Sequence, residues 1–300
     1  MAHLVSIDEP ADPTVDSGLV RVRIDLAYDG TDFAGWAVQP GQRTVQGVLR
    51  DALAVICRLP KPPVVTCAGR TDAGVHAHGQ VAHVDLPSHL VGGHLPHIGI
   101  AGLAASAAVS KLEFQLRAVL PRDVVLRSFA VAPEGFNARY SALSRRYRYR
   151  VCDAPANLDP WRRRDTLVYS RPLDLAAMNE AGAFLVGKHD FASFCRKRVG
   201  ATTIRTLQEV RWERNPSDIA KLTIVADAFC HSMVRSLVGA MLTVGDGRRE
   251  PEWVRDYLAG RERGPGVTVA AARGLVLEHV AYPPDDELAE RARLTRARRT

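Results

Sequence analysis

The sequence predicts an α+β fold built as two successive halves. Three observations carry this reading. Segments in which apolar and polar residues alternate, the mark of half-buried strands, recur along the chain, as in Val20, Val22, Ile24 and Leu26 between Arg21, Arg23 and Asp25. Other segments repeat their apolar residues at spacings of three and four, the mark of helices packed along one stripe. Pro133-Glu134-Gly135 interrupts the chain near its middle, with strands and helices on either side.

The elements follow in order. Residues 1–18 hold Pro10, Pro13 and the acids Asp8, Glu9, Asp12 and Asp16 with few large apolar groups, which is the composition of a disordered lead-in. A strand covers 20–26. Thr44 is placed to N-cap a helix that carries Val45, Val48, Leu49, Ala52, Leu53 and Ile56 on one stripe, and Pro60, Pro62 and Pro63 stop it. Strands are expected at 64–67 and 80–86, a loop at 87–96, a helix at 98–116 and a strand at 124–132. In the second half, Tyr147, Tyr149 and Val151 share one strand face and Arg146, Arg148 and Arg150 the other. A helix at 175–186, strands at 207–212 and 221–227, a helix at 232–244 and a closing strand at 275–282 complete it. The expected division is a lead-in (1–18), an N-terminal α+β half (19–134), a C-terminal α+β half (135–284) and a basic tail (285–300), the tail being either a frayed helix or an arm.

Composition narrows the function. With 300 residues, 46% of them apolar and 24% charged, the chain can bury a substantial core. A net charge of +7 fits a polyanionic partner or simple solubility. Its distribution says more: eight arginines and two aspartates fall between Arg139 and Arg164, and Arg139, Arg145, Arg146, Arg148 and Arg150 surround Tyr140, Tyr147 and Tyr149. Arginines among aromatics suit RNA, because guanidinium groups pair with phosphates and rings stack on unpaired bases. An outward-facing charged strand face is the plainer alternative. Five widely spaced cysteines without a C-x-x-C pair argue for a reducing compartment, and the acidic N-terminus is no signal peptide. No apolar run is long enough to span a bilayer, so the expectation is a cytoplasmic protein with no membrane association.

The segment Gly69-Arg70-Thr71-Asp72-Ala73-Gly74-Val75-His76, followed by Gly79-Gln80-Val81, puts one carboxylate on a glycine-bracketed loop between two strands. Such a loop holds a side chain in one orientation. Asp72 is either an aimed carboxylate or an Asx turn bonded to its own backbone. His76, His78 and His83 match no strong zinc spacing, and no phosphate loop or nucleophile elbow occurs, so no metal site is expected. Asp85 is the one nearby acid that could complete a hydrolase pair, and its offset from Val84 turns it toward solvent.

The loop resembles the catalytic loop of the bacterial tRNA pseudouridine synthase A family. Three more segments resemble that family in the same order: Tyr28-Asp29-Gly30-Thr31-Asp32-Phe33-Ala34-Gly35-Trp36 with Thr44-Val45-Gln46-Gly47; Phe136-Asn137-Ala138-Arg139-Tyr140-Ser141-Ala142 with Arg146-Tyr147-Arg148-Tyr149; and Phe229-Cys230-His231-Ser232-Met233-Val234-Arg235-Ser236-Leu237-Val238-Gly239. Together they span roughly residues 20–283. The resemblance implies a pseudouridine synthase fold, two ferredoxin-like halves whose sheets meet at a central cleft, and isomerisation of uridine to pseudouridine at tRNA positions 38, 39 and 40 without metal or cofactor. It implies a homodimer that holds one tRNA across both subunits. It makes Asp72 the essential residue, as nucleophile or as base at the ribose. It offers Arg235 as the fixed cation that favours the ionised carboxylate and Tyr147 as the ring that stacks on the target base. Arg70 is expected to contact a phosphate or hold the nucleotide outside the stem, or else to support the loop. The chain departs from the family pattern at Asn137, where histidine is expected, at Tyr140, where phenylalanine is usual, at Arg117, where asparagine is common, and in a longer 88–116 segment. A non-catalytic RNA-binding module and a synthase acting elsewhere in RNA are the rival readings.

Overall fold

The computed structural model describes residues 18–92, 100–196, 202–264 and 266–297. The expected lead-in therefore lies outside the described residues except for its last residue, as does part of the 87–96 loop. Among the described residues a ten-stranded, mostly antiparallel sheet forms the framework. The chain runs β1 (Leu19–Tyr28), α1 (Val45–Ile56), β2 (Val65–Cys67), β3 (His76–Pro87), α2 (Ile100–Val119) and β4 (Val124–Val131). It continues through β5 (Ser144–Cys152), β6 (Leu167–Val168), α3 (Leu175–Ala183), β7 (Gly187–Asp190), β8 (Ile204–Arg214), β9 (Ala220–Ala226), α4 (Met233–Gly245), α5 (Glu252–Ala259), β10 (Leu275–Ala281) and α6 (Leu288–Ala297).

The strand order is β4-β1-β3-β10-β5-β9-β8-β7, with β2 also on β3 and β6 on β5. The order β4-β1-β3-β2 comes from the run β1-α1-β2-β3-α2-β4, and β10-β5-β9-β8 from the run β5-α3-β8-β9-α4-β10. Both are βαββαβ units with their strands in the sequence fourth, first, third, second, which is the ferredoxin-like arrangement. The seam between them is the parallel pair of β3 and β10, Val276 opposite His76 and Leu277 opposite Ala77. On the same edge of β3, β2 pairs farther along, Cys67 opposite Ala82. The 68–75 loop leaves the sheet where β2 ends and returns where β10 takes over, so its position is fixed from both sides.

The strand patterns bury as their spacing predicts. Val22, Ile24 and Leu26 of β1 are buried and Arg21, Arg23 and Asp25 are half-buried on the other face. In α1 the Thr44 hydroxyl accepts from Gly47 N at 3.2 Å, and Val45, Leu49, Ala52 and Leu53 are buried. Helix α4 is apolar nearly all round and correspondingly buried along most of its length. The tail forms α6, whose Leu288 and Ala292 are buried. Its Ala289 lies so close to Gly135 that a Cβ there would sit 2.4 Å away, and Gly135 has φ +71°, so glycine is required on both counts.

Two expectations change. Asp85 does not face solvent freely: Arg21 Nε and Nη2 donate to its two oxygens at 2.7 and 2.9 Å. The arginine face of β5 is also not an open phosphate-binding face. Arg148 and Arg150 are drawn into a network with Asp165 and Glu278, in which Arg148 lies 3.1 Å from Glu278 Oε1 and Arg150 Nη1 donates to Asp165. Burial makes these pairings necessary, because an uncompensated guanidinium under cover is costly. Arg146 on that face remains exposed.

Candidate active site

Asp72 sits on the seam loop, and the segment between β1 and α1 holds that loop. Gly30 has no room for a side chain, since a Cβ would lie 2.0 Å from Val75 O, and Gly30 N donates to His76 Nδ1 at 3.1 Å. Gly35, at φ +96°, packs on the backbone of Thr71, Asp72 and Ala73. Trp36 N donates to Thr71 O at 3.0 Å and Gly74 N to Phe33 O at 3.2 Å. Below the loop, the Thr71 and Tyr28 hydroxyls are hydrogen-bonded at 2.8 Å, and Gln80 Nε2 donates to Tyr28 Oη and to Gly69 O at 3.2 and 2.8 Å. Gly30 and Gly35 thus let the 28–36 segment clasp the catalytic-loop segment at close range.

Arg145 fixes the loop from the other ferredoxin-like unit. It is buried, and its guanidinium donates to Ala68 O at 2.8 Å, Arg139 O at 2.8 Å and Asp227 O at 2.7 Å. This guanidinium is buried and bonded to scaffold carbonyls, so it is not an open phosphate ligand. It lies on the Tyr147 face of β5, as its sequence parity requires.

The Asp72 carboxylate is about one-fifth exposed and meets the N-terminal end of α4. Ser232 Oγ donates to Asp72 Oδ2 at 3.1 Å, Arg235 Nη1 donates to the same oxygen at 3.3 Å, and His231 Nε2 lies 3.5 Å from Oδ1. Ser232 is the residue before the helix and adopts φ +60°, a conformation unfavourable for a non-glycine residue. Its hydroxyl serves Asp72 instead of capping α4. The N-terminal end of a helix carries partial positive charge, which adds to the attraction. Arg235 is itself braced: Nε donates to Ala270 O at 2.7 Å and its carbonyl accepts from Ala270 N at 3.0 Å. That bracing needs α4 close to the 268–270 segment, and Gly239 permits it, because a Cβ there would lie 1.7 Å from Thr268 O.

Tyr147 is buried, and Phe229 meets its ring edge-on at 5.2 Å between centroids. Its hydroxyl points toward Gly69, 3.9 Å from where a Cβ would stand, and no described residue hydrogen-bonds it. Burial first, and the Asp72 charge second, push this phenol above its usual range. Arg70 is exposed and makes no hydrogen bond or ion pair among the described residues, so it does not support the loop through carbonyls. The structure therefore brings Asp72, Arg235 and Tyr147 to one place and leaves Arg70 at its rim. Sequence reasoning missed Ser232 and His231 as partners of Asp72. The signal was their position beside the first turn of a helix already singled out for Arg235.

The histidines of the loop have structural partners. His76 Nε2 is 2.8 Å from Arg164 O, and His83 Nδ1 accepts from Ala138 N at 3.1 Å. Among the described residues no cluster of three or more His, Cys, Asp or Glu is arranged to hold a metal, and no helix is long and apolar enough to cross a membrane. Asn137, where the family has histidine, accepts from Arg139 N and Tyr140 N at 3.0 Å each and so shapes the turn. Arg117 ties α2 to β4 through the carbonyls of Leu126 and Arg127.

Comparison with known proteins defines the class. Residues 181–283 match the family model described as tRNA pseudouridine synthase, and two ferredoxin-like units meeting at a carboxylate loop are the corresponding fold. Over nearly the full chain the similarity is closer still. A tRNA pseudouridine synthase A of Frankia casuarinae is 56% identical over 280 residues, 93% of this chain and 96% of the relative. Enzymes of the same name from Streptomyces griseus and Mycobacterium leprae are 54% and 50% identical, over 95% and 92% of this chain and 96% and 94% of their own. The chain belongs to the tRNA pseudouridine synthase A family. It is accordingly an isomerase that converts uridine to pseudouridine in tRNA.

Proposed function

We propose that this chain acts on uridines at positions 38, 39 and 40 of the anticodon stem-loop, and that Asp72 is the essential carboxylate. In the reaction the C1′–N1 glycosidic bond breaks, the uracil turns, and C5 bonds to C1′; C5 loses a proton and N1 gains one. Atoms and electrons balance within the substrate, so the reading requires no oxidant, nucleotide or metal. Asp72 acts at the ribose, as nucleophile at C1′ or as proton acceptor. Arg235, Ser232 and His231 hold it in one orientation, which is what a reacting group must have. Tyr147 supplies a flat apolar face for the uracil, with Phe229 behind it. Arg70, free at the rim, takes a phosphate of the extruded nucleotide.

The observation that carries this reading is the meeting at one carboxylate of groups from both ferredoxin-like units. The choice of positions 38–40, and a homodimer holding one tRNA across both subunits, are supported by the family resemblance. The test is an unmodified tRNA transcript with uridines at 38–40, incubated without added metal or nucleotide with wild-type protein and with Asp72→Asn, followed by site-by-site mapping of pseudouridine. Modification at those positions by wild type alone is expected. Modification elsewhere overturns the site choice, and turnover by folded Asp72→Asn overturns the role of Asp72.

A further inference from the structure

The 159–165 segment, between β5 and β6, forms a compact lobe that the reaction at Asp72 leaves without a role. Its tip is Trp161, 89% exposed, the most exposed large apolar side chain among the described residues. At that exposure the indole takes no part in the core, so its broad flat face is open to a partner. The lobe is held in shape by its own hydrogen bonds. Asp159 Oδ1 accepts from Trp161 N at 3.0 Å, Arg162 N donates to Asp159 O at 2.8 Å, and Asp165 N donates to Arg162 O at 3.1 Å. The ring is therefore presented on a preformed turn, with little ordering left to be done on binding.

A cavity of about 370 Å³ opens beneath it, lined among others by Trp161, Arg162, Arg164, Arg122, His76 and Asp29. The acids of its wall are already matched. Asp29 pairs with Arg164 at 2.9 Å, Asp123 with Arg43 at 2.7 Å, and Asp165 with Arg150. Arg122, in the wall, and Arg163, beside Trp161, are exposed, and their guanidinium groups have no hydrogen-bond or ion-pair partner among the described residues. The local surplus is thus positive, and it surrounds an exposed indole.

The lobe is joined to the catalytic loop. Arg164 O meets His76 Nε2 at 2.8 Å, and His76 in turn holds Gly30, which packs on Val75. His76 follows Asp72 by four residues, so their Cα atoms are no more than roughly 14 Å apart.

We propose that this lobe is a second RNA-binding subsite, in which Trp161 stacks on an unpaired base of the tRNA while Arg122 and Arg163 contact its flanking phosphates. An exposed indole with free guanidinium groups is the combination that single-stranded RNA takes: the ring accepts any base face and the cations neutralise phosphates. The inference rests on the reading of tRNA as substrate, and it assigns a surface beyond the reacting nucleotide.

The test measures binding directly and does not depend on turnover. Trp36 and Trp212 are buried and Trp253 is partly covered, so Trp161 is the tryptophan best placed to report on solvent and ligand. Titration with unmodified tRNA transcript is expected to quench the acrylamide-accessible emission, and Trp161→Phe is expected to remove that change. Trp161→Ala is expected to raise Kd for the transcript roughly tenfold or more. Arg163→Gln is expected to reduce the slope of log Kd against log salt by about one. Emission unchanged at saturating tRNA, or a Trp161→Ala affinity within twofold of wild type, overturns the subsite. So does a Trp161→Ala variant whose subunit association changes while its tRNA affinity does not, which would make the lobe a protein contact. Failure of the pseudouridine mapping with wild type, by contrast, bears on the proposed reaction and not on this subsite.

Discussion

Replacing Arg235 is the sharpest perturbation of the proposed site, because the residue makes two separable contacts. Its Nη1 reaches Asp72 Oδ2 at 3.3 Å and its Nε reaches Ala270 O at 2.7 Å. Coulomb attraction at 3.3 Å in an effective dielectric of about 20 is about 5 kcal/mol gross. Both side chains are about one-fifth exposed, so desolvation and screening remove much of that. What survives is the net of a hydrogen bond between charged groups, about 1.5–3 kcal/mol. If that interaction orients Asp72 for reaction, its loss lowers kcat by roughly 10- to 150-fold, at about 1.4 kcal/mol per factor of ten. A lysine keeps the charge but is a single point donor that cannot serve both contacts at once. Arg235→Lys is therefore expected to lose about tenfold and Arg235→Leu about a hundredfold. Leucine also leaves the Ala270 carbonyl without its donor, at a stability cost of about 1–3 kcal/mol. The assay is single-turnover pseudouridine formation at saturating enzyme on tRNA transcript, with a urea melt of each variant to separate folding from chemistry. If folded Arg235→Leu turns over within threefold of wild type, the assignment of Arg235 as the orienting cation is wrong.

Four further outcomes are expected. Tyr147→Phe retains the stacking face, so tRNA affinity stays near wild type, while a fall in single-turnover rate measures what the hydroxyl contributes. Gly30→Ala forces a Cβ against the Val75 carbonyl at 2.0 Å, and overpacking of about 1–3 kcal/mol should appear as a lower urea midpoint, with activity lost beyond what unfolding explains. Burial raises the phenols of Tyr28, Tyr147, Tyr149 and Tyr282, so the folded state holds protons that the unfolded chain releases above pH about 10; stability is full below that pH and falls as pH rises beyond it, and Tyr28→Phe should reduce the slope of urea midpoint against pH. The Arg214 guanidinium, bonded to Asp153 at 2.7 and 2.8 Å, holds the Asp153 carboxyl below the usual range, so its contribution is present above pH about 4 and is lost as pH falls through the acid range; Asp153→Asn should flatten that acid arm of the stability profile.

Local pattern placed Asp72 on a glycine-bracketed loop, Tyr147 on a strand face and Arg235 beside an apolar helical stripe, each with a structural alternative; the family resemblance is what joined the three into one candidate site. Long regular elements were equally legible, since period is a local property. The errors are failures of local reasoning about non-local partners. Arg148 and Arg150 looked like free phosphate ligands because Glu278 and Asp165 stand far away in sequence and reach them only through the sheet. Arg145 shares parity with Tyr147, and that alone could have assigned it to the interior. Strands β6 and β7 are two and four residues long and carry too few positions for alternation to register. Helix α5 went unnoticed because only Val254 and Leu258 of its eight residues are buried. Ser232 gave no sign of its left-handed backbone, since serine before a helix ordinarily reads as a cap.

The candidate site draws on residues from both sides of the seam. The first unit contributes the loop with Asp72 and the 28–36 segment that clasps it; the second contributes Ser232, Arg235, Tyr147 and the Arg145 strap. The seam itself is narrow, since β3 and β10 share only two paired positions. Side-chain bridges across it must therefore hold the loop against α4. Arg145 is one of these, with one buried guanidinium bonded to carbonyls at Ala68 on one side and Asp227 on the other. Arg145 is therefore expected to help set the distance between Asp72 and Arg235, although it hydrogen-bonds neither. Removing it strands buried carbonyls on both sides, and the expected result is loss of activity together with loss of cooperativity between the two units on unfolding. A variant such as Arg145→Met that unfolds in one transition as sharp as wild type, with turnover intact, would show that the short β pairing suffices and that the strap is dispensable.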